Sequence, residues 1–224
     1  MENVSKKELL EAVFSVIPKK KVAELVFYGS NNIGSDLDVF AVIHGNCLYG
    51  SVSFGKIDVT FVGSIWLSTL IQNLDPIVIE PILTGERIYG RELLPSKSEI
   101  KKRKGTINAA DFLLQCSDIC LAWAREHLAK ERLKDSATCL VFSISYLLFA
   151  ERYSLRQRVI TFKNLRKQVK CRNLDEALAF YKGKRTPKLL ELLNLIKSTR
   201  QSLTKTYNRL IAFPRLKKGR EKPE

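Results

Sequence analysis

Apolar positions along the chain begin at helical spacing and then switch to strand-like alternation. Leu9, Leu10, Val13 and Phe14 recur every three or four residues behind Ser5-Lys-Lys-Glu8. There the Ser oxygen can accept from the backbone N–H of Glu8 while the Glu side chain returns to the cap. This predicts a helix to about Val16, ended by Pro18 and three lysines. Residues 23–28 are short, apolar and rich in strand formers, and a polar turn at 29–35 separates them from a second strand at 36–43. Residues 48–54 and 57–62 read as a hairpin turning at Gly55-Lys56. The expected result is a sheet of three or four strands with a helix on one face. Residues 64–74 read as a short helix ended by Asp75-Pro76, 76–83 as an added apolar strand, and 84–90 as a turn.

Beyond Lys101-Lys-Arg-Lys104 and Gly105 the pattern is helical throughout. A helix is expected over 106–130, with Ile107, Phe112, Leu113, Cys116 and Ile119 on its apolar face. A second, over 135–153, is apolar nearly all round and so central in a bundle. Shorter ones follow at 162–171 and from Asn173, and a last helix opens at Thr186-Pro187 and could run to Phe213. The class is α+β: a small mixed sheet with helices on one face, then an all-α bundle. The expected domains are residues 1–100 and 101–216, with a disordered charged tail at 217–224.

Composition adds charge to this picture. Lys and Arg number 38 against 23 Asp and Glu, a net +15, which favours a polyanionic partner. Residues 1–99 hold 9 basic and 12 acidic side chains, so the excess lies in the helical half. Within it Arg152, Arg156, Arg158, Lys163, Arg166, Lys167, Lys170 and Arg172 fall in one acid-free stretch, and solvated faces ordinarily interleave both signs. No apolar run reaches the roughly 18–20 residues that span a bilayer, so no membrane partner is expected. Five cysteines without a CxxC pair read as reduced and mostly buried, which places the chain in the cytoplasm. Cys116 and Cys120, four apart, read as core, and Trp66 and Trp123 as packing anchors. His44 reads as a loop residue and His127 as a structural one near a helix end. Tyr28 and Tyr89 suit either the core or a cleft.

The chemistry-bearing segment is Val26 to Ile43. Asp36 and Asp38, two apart at a strand start, project from one face, while Leu37 and Val39 point the other way. Two such carboxylates repel unless a hard divalent cation sits between them, and Mg²⁺ is the usual one when phosphates complete its shell. Asp58 alternates with Ile57 and Val59, and it joins the pair if its strand lies in the same sheet. Three acids on adjacent strands suit two-metal phosphoryl or nucleotidyl transfer. Gly29-Ser30 just before them lets backbone N–H groups approach phosphate oxygens.

A strand, Gly-Ser, a turn, Asp-x-Asp at a strand start and a lone Asp on a following strand together resemble the DNA polymerase beta-like nucleotidyltransferase superfamily. The likeness covers roughly residues 5–95, and Arg87-Ile-Tyr-Gly90 is similar to a segment many small members carry. It implies a nucleotidyltransferase-type sheet, two Mg²⁺ ions (or Mn²⁺) and an NTP substrate. Asp36 and Asp38 would ligate both metals. Asp58 would ligate the catalytic metal and help deprotonate the acceptor hydroxyl. Gly29 and Ser30, with Asn31 beside them, would hold the triphosphate. Only five residues, none basic, separate Ser30 from Asp36, a shorter turn than the family's, so cations from elsewhere, Lys56 among them, must meet the triphosphate charge.

The reading that follows is transfer of a nucleoside monophosphate to a hydroxyl of a nucleic acid, RNA before DNA and a tRNA-like 3′ end first. Arg156, Arg158, Lys163, Arg166, Lys167 and Lys170 would hold the phosphate backbone. Two alternatives stand beside it: modification of a protein, as in toxin–antitoxin pairs, and a non-catalytic nucleic-acid-binding protein on a degenerate fold of the same type.

Overall fold

The computed structural model describes residues 5–28 and 37–218, with side chains to Ile211. The chain divides into two compact units, meeting between Arg103 and Lys104.

In the first unit Ser5 and Glu8 close the reciprocal cap, with the Ser5 N–H 2.7 Å from the Glu8 carboxylate and the Glu8 N–H 3.2 Å from Ser5 Oγ. Helix α1 (Lys6–Val16) follows. Strands β1 (Val22–Phe27), β2 (Leu37–Ile43), β3 (Gly50–Phe54), β4 (Ile57–Gly63) and β5 (Glu86–Gly90) form one five-stranded sheet in the order β3-β4-β2-β1-β5. β1 runs antiparallel to β2 and β5, β3 antiparallel to β4, and β2 parallel to β4. The mixed sheet is of the expected α+β class, with one strand more than the alternation suggested. Residues 84–90 hold that strand, because β1 offers them a free edge.

Alternation along β2 and β4 sorts two faces. Leu9, Val13 and Ile17 of the α1 segment pack with Leu25, Val39, Ala41, Val59 and Ile88 on one face. Phe40, Val42 and Val62 point the other way and are also buried. They lie beneath α2 (Ser64–Gln72) and α3 (Pro76–Thr84), which contact β4, β2 and β1. Helices therefore cover a second face as well as the expected one. The segment expected as an added strand is α3 itself: Asp75 accepts from the Ile77 N–H at 2.9 Å as N-cap, and Pro76 takes the first helical position. Past β5, buried Glu24 accepts from the Leu93 and Leu94 N–H groups at 2.8 and 3.0 Å, which ties this segment back to β1. A short helix, α4 (Lys97–Lys102), carries its own cap of Ser96 and Glu99.

The second unit is helical. α5 (Ile107–Ala129) and α6 (Leu133–Ser154) form a hairpin along a seam of small residues. Ser117 Oγ donates to the Ser143 carbonyl at 2.8 Å, Ser143 Oγ to the Ser117 carbonyl at 2.9 Å, and Ser136 Oγ to the Ala124 carbonyl at 2.8 Å. These bonds turn α5 away from the expected face. Leu113, Leu114, Ser117, Leu121 and Ala124 are buried, whereas Ile119 and Trp123 are 51% and 54% exposed. Trp123 is thus no packing anchor, and the five cysteines form no disulfide and are half-buried. α6 is long and apolar enough to cross a bilayer by length and composition, against expectation, but most of that stretch is buried inside the protein, where α5, α8 and α9 pack against it. α7 (Phe162–Gln168), α8 (Arg172–Tyr181) and α9 (Leu189–Lys218) complete the unit. α9 begins two residues beyond Thr186-Pro187, and residues 219–224 of the expected tail lie outside the described residues.

Candidate active site

The site is built by the parallel pairing of β2 with β4. The β3–β4 hairpin turns at Gly55, whose φ of +59° suits a residue without Cβ, and docks through β4. The Leu37 N–H donates to the Lys56 carbonyl at 2.7 Å, which sets the two strand starts level. Asp38 and Asp58 are then direct register partners. Their side chains leave the sheet on the face opposite α1, from backbones about 4.8 Å apart. The row continues sideways. Ser53 of β3 pairs with Asp58, and the Tyr28 N–H donates to the Asp38 carbonyl at 3.0 Å. Two residues further along, on the same face, Ser51 is registered with Thr60.

Among the described residues this end of the face is the less covered one. Phe40, Val42 and Val62 are covered, while Asp38, Asp58 and Thr60 are only partly buried and Ser51 and Ser53 are exposed. The result is a shelf of carboxylates and hydroxyls at the starts of two rigid strands. Like charges directly opposite on paired strands destabilise a sheet, and a bound cation removes that cost.

Tyr28 anchors the row's end. Its hydroxyl is hydrogen-bonded to Thr60, and its pKa is pushed up to about 12, first by burial and then by the Asp38 charge, with smaller contributions from Glu80 and Asp58. The Glu80 charge on α3 is therefore near enough to be felt at the Tyr28 hydroxyl. In sequence its segment reads as an apolar strand, whereas the Asp75-Pro76 helix start gives Glu80 a helical position. Tyr89 belongs to the other face, edge-on to Phe14 with ring centres 5.0 Å apart, so its role is packing.

Of the other residues singled out from the sequence, Gly29, Ser30, Asn31 and Asp36 lie outside the described residues. Among the described residues no three potential ligands cluster closely enough to hold a metal ion. Asp38 and Asp58 are two of the three expected ligands, and paired carboxylates on neighbouring strands are hard oxygen donors of the type Mg²⁺ takes. The donor set fits. Lys56 sits in the turn at the same end of the sheet.

The acid-free run of the second unit does not stay acid-free in space. Lys163, Arg166 and Lys167 are exposed on α7, and Arg156 and Arg158 on the connection before it. Yet α8 brings Asp175 to Arg166 at 3.1 Å, and Arg172 pairs with Glu176 at 2.9 Å. Arg152 bonds the Arg158 carbonyl, Gln157 and Gln168. The groove bordered by Lys170, Arg172, Asp175, Glu176 and Arg185 carries both signs.

No protein-family model matches the sequence, and no curated protein matches it. Among solved structures the chain is similar to a nucleotidyltransferase-like protein from Exiguobacterium sibiricum 255-15, at 10% identity and a TM-score of 0.37, covering 98% of this chain and 81% of that one. It is also similar to an aminoglycoside 6-adenyltransferase from Bacillus subtilis, at 10% identity and a TM-score of 0.27, covering 91% and 92%. Likenesses at this level bear on neither substrate nor activity.

Proposed function

We propose that this protein is a divalent-metal-dependent nucleotidyltransferase that moves a nucleoside monophosphate from an NTP to a hydroxyl of a nucleic acid, an RNA 3′ end foremost. One observation carries the reading: Asp38 and Asp58 are register partners on parallel strands, on the less covered end of the face opposite α1. Two adjacent carboxylates with hydroxyl neighbours suit a charged substrate with its metal better than an uncharged one.

In this scheme Asp38 and Asp58, with Asp36, hold the ions, whose charge stabilises the transferring phosphoryl oxygens when bound. Asp58 accepts the proton of the acceptor hydroxyl. That oxygen forms a bond to the α-phosphorus, the bond from the α-phosphorus to the bridging oxygen breaks, and pyrophosphate leaves. Tyr28, neutral at physiological pH as any tyrosine is, brings a hydroxyl to the row without adding negative charge to a site that must take a triphosphate. Lys56 supplies a cation at the mouth. The positive excess of the helical unit supports a macromolecular polyanion as acceptor.

Incubation with labelled NTPs, Mg²⁺ and RNA, DNA or protein tests this. Labelled RNA is expected, with incorporation falling by on the order of 10²-fold or more in Asp38→Asn and in Asp58→Asn, since each removes charge stabilisation from the transition state. Unaltered labelling in both variants, or labelling of no acceptor by the wild type with any NTP, would sink the reading.

A further inference from the structure

A long positive surface lies along α9, with Asp111 and Asp118 of α5 near Tyr207 on one flank and Glu151 of α6 accepting from Thr206 on its packed side. No Asp or Glu occurs between Glu191 and Glu221. One side of α9 is buried through Leu192, Leu195, Ile196, Leu203 and Leu210. The other side is exposed and, over the middle of the helix, polar, with Lys197, Gln201, Lys205, Asn208 and Arg209 at successive helical turns between exposed Leu190 and Leu193 at one end and Ile211 at the other. A shallow groove runs along part of it, lined by Arg200, Gln201, Thr204, Lys205, Asn208 and Arg209. Arg200 reaches sideways to Asp118 of α5. Lys197, Lys205 and Arg209 have no ion pair among the described residues.

We infer that this face of α9 binds the phosphate backbone of a nucleic acid, through Lys197, Lys205 and Arg209, with the amides of Gln201 and Asn208 between them. Lys197 and Arg209 are twelve positions apart, about 18 Å along a helix rising 1.5 Å per residue, enough to follow several phosphates of one strand. Cations alternating with amide donors match the groups that contact phosphate and sugar oxygens. An anionic membrane surface fits less well: a surface-lying helix needs a continuous apolar side for the lipid, and here Leu192, Leu195, Ile196, Leu203 and Leu210 of that side are buried, which leaves exposed apolar residues only near the two ends. The mixed-sign surface around α7 is not part of the contact. The inference rests on the proposed function only in taking a nucleic acid as the acceptor.

The test is binding alone, by the full-length chain, to a fluorescein-labelled single-stranded RNA over ~50–200 mM KCl. The triple variant Lys197→Gln, Lys205→Gln, Arg209→Gln is expected to lower the slope of log K against log salt by about 2, at ~0.7 per lost phosphate contact on a single strand. At ~100 mM salt its binding should fall roughly 10- to 100-fold. The triple Lys163→Gln, Lys167→Gln, Lys170→Gln removes the same charge and should leave the slope within a few tenths. A charge-retaining triple, Lys197→Arg, Lys205→Arg, Arg209→Lys, should bind as the wild type does, which excludes misfolding as the cause. Equal losses in the two glutamine triples, loss in the α7 triple alone, or wild-type binding to phosphatidylserine vesicles but not RNA would each overturn the inference.

Asp38→Asn separates this outcome from the proposed activity. Normal α9-dependent RNA binding with no incorporation by the wild type would refute the activity and leave the surface standing. Incorporation into RNA by a wild type whose binding ignores the α9 triple would do the reverse.

Discussion

Tyr28 sits where β1 leaves the sheet, its hydroxyl bonded to Thr60 within reach of the charges on Asp38, Glu80 and Asp58. Burial and the Asp38 charge both oppose ionisation, so its pKa stands near 12 against the usual 10. The sign of the linkage follows. The unfolded chain loses this proton first as pH passes 10, so the contribution to stability is intact below pH 10 and is lost on the way to pH 12. In Tyr28→Phe this loss is absent. The stability difference between wild type and variant, measured by urea denaturation, should therefore shift in the variant's favour from pH 9 to about pH 11. A constant difference would mean that the hydroxyl does not sense the shelf. Charge at the shelf carries a second expectation. Mg²⁺ that binds Asp38 and Asp58 in the folded state raises stability by RT ln(1 + [L]/Kd), about 2.7 kcal/mol at 100-fold saturation. A thermal melt should show the rise in the wild type and lose most of it in Asp58→Asn, with no NTP present. Equal Mg²⁺ shifts in both would place the metal elsewhere.

At the scale of elements, legibility followed how local the determining signal is. The Ser5–Glu8 cap and the alternation of β2 and β4 are decided by neighbours in sequence, and both were readable. That β4, not β3, docks on β2 depends on tertiary packing, so the alignment of Asp38 with Asp58 could be expected only conditionally. Residues 76–83 were misread because Ile77, Val78 and Ile79 are strand formers, and the cap that overrides them lies one residue upstream. Asp75 is fully buried, caps Ile77 and accepts from the Tyr49 hydroxyl. Asp75→Ala removes the cap and the charged acceptor of the Tyr49 hydroxyl, a loss of about 2–4 kcal/mol from a cap of roughly 1 kcal/mol plus a charge-assisted hydrogen bond of about 1.5–3 kcal/mol. Asp75→Asn keeps an acceptor for Ile77 and should recover at least half of that loss in chemical denaturation. Around α7 the sequence window hides two acidic partners, those of Arg166 and Arg172. Asp175 and Glu176 come from the next helix, and no window over residues 152–172 contains them.

For the whole molecule, the boundary between the units is also a charge boundary. The first 103 residues hold 12 basic and 12 acidic side chains, and the remaining 121 hold 26 against 11, so the entire +15 belongs to the helical unit. A net charge of that size opposes compactness through self-repulsion, and the repulsion is screened as the Debye length falls from about 30 Å at 0.01 M salt to about 8 Å at 0.15 M. The two units should therefore answer salt differently. Native-state hydrogen exchange of the free protein can report each separately, through amides of β2 and β4 for one and of α5 and α6 for the other. Raising KCl from ~10 mM to ~150 mM should increase protection of the α5 and α6 amides by on the order of 1 kcal/mol and leave the sheet amides nearly unchanged. If both units gained equally, a general salt effect on apolar burial would explain the result and charge would not. If the helical unit alone gained, a bound polyanion should reproduce the gain at low salt, because phosphates lying along the cations relieve the same repulsion that mobile ions screen.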